Sequence, residues 1–152
     1  MHRAIPAVRI LPMSSRQKGF RGRTVEDVQA GFFLEELPFP PKSGRFRYPT
    51  SGLNAEPGTV VLFQYEGKII ASAVFERNER FARPEGSYRG AMWFDVESIR
   101  IFEPVGPEKL RSIWPEFQRL GHAKQDLDPV FYPAFEEQLV GVEEPGRSRA
   151  RG

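Results

Sequence analysis

Cysteine is absent from the 152 residues, and histidine occurs only twice. Without thiols there are no disulfides and no thiolate metal sites. His2 and His122 lie far apart in the sequence and in no ligand spacing such as HExxH, so no metal centre is expected. No apolar run approaches the roughly 20 residues of a membrane helix, and no membrane partner is expected. Arg9 interrupts the only apolar stretch near the start, which does not read as a signal sequence; a cytoplasmic protein is the expectation. A Gly-x-Ser-x-Gly elbow is missing, and GFRGR at 19–23 has neither the spacing nor the Lys-Ser/Thr end of a phosphate-binding loop. No catalytic residue and no cofactor is nominated, and a binding module is expected rather than an enzyme.

What is present is positive charge, unevenly spread. The net charge is +2, but residues 1–50 hold nine Lys/Arg against four acids, while the two following thirds are slightly acidic. A basic segment beside a near-neutral core is either the footprint of a polyanion site or a solvated arm. The length suits one domain, read here as 1–145, followed by a basic tail at 146–152 (GRSRARG) without apolar anchors and expected to be disordered.

The strongest structural signal runs from Gly58 to Phe102. Thr59–Tyr65 and Ile69–Arg77 are rich in Val, Ile and aromatics and meet at Glu66-Gly67, which predicts a hairpin. Phe94–Val96 and Ile99–Phe102 read as a third strand, with a bulge near Glu97-Ser98 to reconcile their faces. Upstream, Ala7–Leu11 reads as a first strand ended by Pro12. Thr24 is placed to cap a short helix over 25–30 that stops near Gly31. The stretch 37–54 holds four prolines and two glycines and reads as a long surface loop, as does 78–89. Pro107 opens a helix that Pro115 should break, and 132–140 reads as a closing helix. Asp126 and Asp128 look like helix-capping residues. The fold class is therefore α+β, with a small curved β-sheet at its centre.

Aromatic residues alternate with cations in three places. Phe20 lies among Arg16, Lys18, Arg21 and Arg23; Phe46 and Tyr48 alternate with Arg45 and Arg47; Phe81, Tyr88 and Trp93 accompany Arg80, Arg83 and Arg89. Flat rings stack on bases and cations meet phosphates. Phe63, Phe75, Phe94, Phe117 and Phe135 are assigned to the core instead.

In element order the chain resembles the PUA-like superfamily, in particular its EVE and YTH branches. Val8–Leu11 precedes Ser14-Ser15, the helix over 25–30 and Gly31-Phe32. VVLFQYEGKIIASAVF (60–75) is similar to the family's hairpin and YRGAMWFDVESIRIFEPV (88–105) to its next strand. RLGHAKQDLDP (119–129) followed by FEEQL is similar to its late loop and closing helix. The resemblance spans about four-fifths of the chain and implies a small curved β-barrel with flanking helices that holds one base of a nucleic acid in an aromatic-lined pocket. It places Ser14 and Ser15 in the loop that contacts the base and Phe32 or Phe33 where the family has a cage Trp. The family's late-loop acid falls near Ala123, leaving His122, Lys124 and Gln125 as the polar neighbours.

These readings nominate a base pocket of Ser14, Ser15, Phe20, Phe32, Phe33, Tyr88, Trp93, His122, Lys124 and Gln125. Backbone contacts fall to Arg16, Lys18, Arg21, Arg23, Arg45, Arg47, Arg83 and Arg89. The expected function is recognition of a modified base by base flipping, with DNA carrying 5-methylcytosine favoured over RNA. The alternatives are an RNA-binding module reading a modified or unpaired base, a nucleotide-acting enzyme, and an interaction module with no nucleic-acid role.

Overall fold

A computed structural model describes residues 4–17, 19–49, 52–120 and 125–146. The chain runs β1 (Val8–Pro12), α1 (Val25–Asp27) continuing as a π-helix (Val28–Glu36), β2 (Arg45–Tyr48), β3 (Val60–Tyr65), β4 (Lys68–Glu85) and β5 (Tyr88–Phe94). A 3₁₀ turn (Val96–Ser98), β6 (Arg100–Val105), α2 (Pro107–Ile113), β7 (Asp126–Leu127), a second 3₁₀ turn (Pro129–Phe131) and α3 (Tyr132–Glu137) complete it. The mixed α+β class is as expected.

The strands pair in the order β2-β5-β4-β3-β1-β7, with β6 branching onto β4. β1 and β3 are parallel and the other pairs antiparallel. Where a closed barrel was expected, the pairing among the described residues runs open from β2 to β7. The first half of β4 pairs with β3 and β6, and its second half with β5, with register shifts that bend each ladder.

β3 sits at the centre and is buried on both faces, which its continuous apolar run requires. Val61, Phe63 and Tyr65 point into one core and Val60 and Leu62 into the other. The first core packs the π-helix through Val28, Phe33 and Leu34; the second packs α2 and α3 through Leu110, Trp114 and Phe135. Each fully buried side chain of this size contributes about 1.5–3 kcal/mol. The five phenylalanines assigned to the core are all buried.

Local chemistry explains most boundaries. Glu66 and Gly67 both have positive φ, the conformation that a two-residue hairpin turn demands. Thr24 accepts a hydrogen bond from the Asp27 amide and caps α1 as expected. The helix does not stop at Gly31, however. It widens, closing with the Leu37 amide on the Phe32 carbonyl, five residues back. Gln29 fastens it to the sheet by donating to the carbonyls of Ile70 on β4 and Phe102 on β6, at 3.0 and 2.7 Å.

Three further expectations are corrected. The stretch 37–54 contains a strand, β2, paired with β5 from Arg45 opposite Trp93 to Tyr48 opposite Gly90. The stretch 78–89 is the extension of β4 and its turn into β5, not a loop. The proposed bulge at Glu97-Ser98 is a 3₁₀ turn that ends one strand and starts another, capped by Asp95. Tyr48 is held over Gly90, where an added Cβ would collide with its ring and come within 2.6 Å of the Glu79 carbonyl oxygen.

Candidate functional site

A recess of about 230 Å³ opens where the loop after β1, the π-helix, β2 and the β4–β5 hairpin tip converge. Phe20, Phe32 and Phe46 form its inner wall. The Phe20 and Phe32 rings meet edge to face at 5.0 Å, and Phe32 meets Phe46 in the same manner at 5.6 Å. Phe46 also stacks at 5.9 Å on Phe63, which fixes the wall to β3. Such pairs are favourable because ring edges carry positive and ring faces negative charge density.

Strand alternation puts Phe46 against the core and leaves Arg45 and Arg47 on the other face of β2. Both arginines nevertheless edge the recess, joined by Lys42 from the turn before β2. The Arg47 guanidinium lies 4.2 Å from the centroid of the Tyr88 ring, and Arg45 reaches Phe81 and Glu85 on the hairpin tip. These contacts hold the cations in place by cation–π attraction and an ion pair. Gln17 and Ser87 supply polar groups at the edge, and Glu36 supplies the one carboxylate.

Glu36 is not loose. Arg23 binds Glu36 Oε2 at 2.9 Å and Asp27 Oδ2 at 2.8 Å, and also donates to the Gly19 carbonyl. Burial alone would lower the pKa of Arg23, but the hydrogen bonds and charges of Asp27 and Glu36 outweigh it and raise the value. The loop is tied down from below by the Tyr65 hydroxyl, which lies within hydrogen-bond reach of the Phe20 and Arg23 carbonyls.

The recess therefore gathers Phe20, Phe32, Tyr88, Arg45 and Arg47 of the nominated residues. Phe33 faces the other way, buried against Phe63 at 4.8 Å. Trp93 lies outside it, its ring under Arg77 at 4.5 Å and its indole N–H donating to Glu79. Gln125 is buried elsewhere and clamps its own loop, accepting from the Gln118 amide and donating to the Arg119 carbonyl. Arg23 is an internal ion-pair hub and not a free phosphate contact. Ser14 caps the Arg16 amide in its own turn, and Ser15 lies beside it without lining the recess. Arg16, Arg21, Arg83 and Arg89 are exposed beyond the recess. Lys18, His122 and Lys124 lie outside the described residues, as does the tail from 147.

Phe46, Lys42, Gln17 and Glu36 also line the recess without having been nominated for the base pocket, although Phe46 stands among the rings that alternate with cations. The alternation in RFRY was a usable strand signal for Phe46. Glu36 had no signal, because its position depends on the widened helix.

Two further concavities have larger volumes, about 450 and 440 Å³, but carry the opposite charge. One gathers Glu56, Glu116, Asp126 and Asp128 around Arg9, the other Asp95, Glu97, Glu136 and Glu144 around Arg100. Both would repel a polyanion, whereas Lys42, Arg45 and Arg47 outnumber Glu36 in the aromatic recess. Among the described residues no group of three His, Asp or Glu is placed to hold a metal ion, and no helix is long and apolar enough to cross a membrane.

The backbone is similar to the YTH domain of Zygosaccharomyces rouxii MRB1, solved in complex with N6-methyladenosine RNA. The TM-score is 0.48 at 13% identity, covering 95% of this chain and 94% of that chain. No family model matches the sequence, and no curated protein matches it.

Proposed function

We propose that this chain binds single-stranded nucleic acid, RNA in preference to DNA, by seating one unstacked base in the recess. The partly exposed Phe46 and Tyr88 supply ring surface, backed by the buried Phe20 and Phe32, and Lys42, Arg45 and Arg47 take the flanking phosphates. The observation that carries the reading is the coincidence of these two groups in one cavity, where two larger cavities are acidic. Stacking on an aromatic side chain is worth roughly 1–3 kcal/mol per base, and phosphate contacts make the affinity depend on salt.

A modified base is the preferred occupant. A methyl group on a base edge would lie against the phenyl wall, where a methylene-sized group supports discrimination of roughly 1–3 kcal/mol. RNA is favoured because unpaired loops and ends present splayed bases without the cost of opening a duplex, and Gln17 and Ser87 at the edge can pair with a 2′-hydroxyl. The expected preference for DNA carrying 5-methylcytosine has no feature of the recess behind it. The proposed role is that of a binding module.

The test is fluorescence anisotropy with one labelled sequence as single-stranded RNA, single-stranded DNA and duplex DNA, each methylated or not, at two salt concentrations. The RNA should bind tightest, with a methylated form preferred and affinity falling as salt rises. Tightest binding to the duplex would overturn the single-strand reading. Equal affinity for both methylation states would remove the modified base and leave the RNA module.

A further inference from the structure

Resting on the reading of the recess as a base pocket, we infer that Glu36 selects the base, and that the edge it selects is the Watson–Crick edge of guanine. Glu36 is the carboxylate that lines the aromatic cavity. A carboxylate is a poor neighbour for phosphates, and a cavity serving only the backbone would be better without it. It is also fixed: Arg23 holds Oε2 at 2.9 Å and is itself held by Asp27 and the Gly19 carbonyl, so the acid is oriented before any ligand arrives. Phe32 stands four residues earlier on the same π-helix and lines the same recess, which puts the acid beside the aromatic wall.

An ionised carboxylate only accepts hydrogen bonds, with about four lone-pair positions on its two oxygens. Arg23 occupies one of them. Guanine presents two adjacent donors, N1–H and N2–H₂, and satisfies the remaining acceptors side by side. Adenine and cytosine each present an amino group next to an acceptor nitrogen, and uracil presents one N–H between two carbonyls. Those neighbouring lone pairs would face the carboxylate and repel it. The ordering expected is guanine first, adenine and cytosine next, uracil last. Arg23 is a positioning residue in this arrangement and touches no ligand.

The experiment uses the full chain and a short oligouridylate with a single central guanosine, inosine, adenosine, cytidine or uridine, read by anisotropy. Guanosine should bind about tenfold more tightly than uridine, as expected for a bidentate pair. Inosine lacks the N2 amino group and should lose about fivefold relative to guanosine. In E36Q the amide oxygen stays on Arg23 and turns the NH₂ toward the cavity, so the guanosine preference should vanish while the all-uridine strand binds as well or better. Equal binding of all five strands by the wild-type protein overturns the role of Glu36 and leaves the base pocket standing. Failure of every strand to bind overturns the pocket itself, and an inosine strand equal to guanosine removes the two-donor contact.

Discussion

The Tyr65 hydroxyl lies 2.6 Å from the carbonyl oxygen of Arg23 and 3.2 Å from that of Phe20. One fully buried phenol on the central strand thus holds both the ring and the ion-pair hub that shape the recess. Replacing it by Phe keeps the packing and removes the bond, at a cost of about 1–2 kcal/mol. Urea unfolding of Y65F should show that loss with an unchanged slope. RNA affinity should fall as well, since the loop carrying Phe20 is freed. Unchanged affinity would mean that the loop needs no anchor.

Alkaline pH should weaken the fold for a related reason. Burial raises the pKa of Tyr65 above its usual value near 10, with Glu66 adding to the effect and Arg23 opposing it. Burial likewise raises Tyr132, partly offset by Arg100. The unfolded chain ionises first, so above pH 10 it binds fewer protons than the native state. The contribution of both phenols is complete below pH 10 and is lost as pH rises through the higher folded values. Stability measured against pH should fall over that window, and less steeply in Y65F and Y132F.

Phe46 offers the cleanest test of ring stacking. It is only half-buried, and leucine fills much of its volume against Phe20, Phe32 and Phe63. F46L should cost roughly 1–3 kcal/mol of binding by the loss of the ring face. Thermal unfolding should move little by comparison. Full RNA affinity in a folded F46L would show that no base stacks there.

The arginines should divide into two classes. R47A should weaken binding to every sequence alike and reduce the slope of log affinity against log salt by about 0.7, the expectation for one single-strand phosphate contact. R23A should instead destabilise the fold by about 1 kcal/mol, a value limited by the exposure of Asp27 and Glu36. It should leave the salt slope near its wild-type value. The same slope change in both variants would put Arg23 back among the phosphate contacts.

Gly90 has no latitude. A methyl group there meets the Tyr48 ring and the Glu79 carbonyl, neither of which can move without breaking the β2–β5 ladder or the bond from Tyr48 to Asn78. G90A should cost about 1–3 kcal/mol, read by denaturant unfolding. Since β2 carries Phe46, Arg45 and Arg47, binding should fall with it.

Much of the scaffold was legible because apolar β-branched runs and a Glu-Gly turn have local causes. β3, the start of β4, the Thr24 cap and the Pro107 helix all rest on neighbours in sequence. β2 read as loop because its four residues sit between prolines and glycines, which outweighed the alternation in RFRY, and the strand is held by pairing with β5, more than forty residues on. The alternation of rings and cations picked out Phe20, Tyr88, Arg45 and Arg47, which line the aromatic recess. Trp93 and Phe33, whose composition suits a pocket equally well, lie outside that recess, against Arg77 and Phe63. Arg23 read as a free cation because Glu36 reaches it across thirteen residues, through a helix widened by one residue per turn.

The Gln29 amide settles how the two walls of the cavity are mounted. Its bonds to Ile70 and Phe102 reference the π-helix to the sheet, while the Phe20 loop is referenced to Tyr65. Phe32 and Glu36 therefore stand on one mount and Phe20 on another. Arg23 crosses between them, from the Phe20 loop to Glu36, so a loop of different length or sequence between β1 and α1 would reshape the opening and release the acid together. The cavity is in that sense one unit, its two jaws linked through a guanidinium.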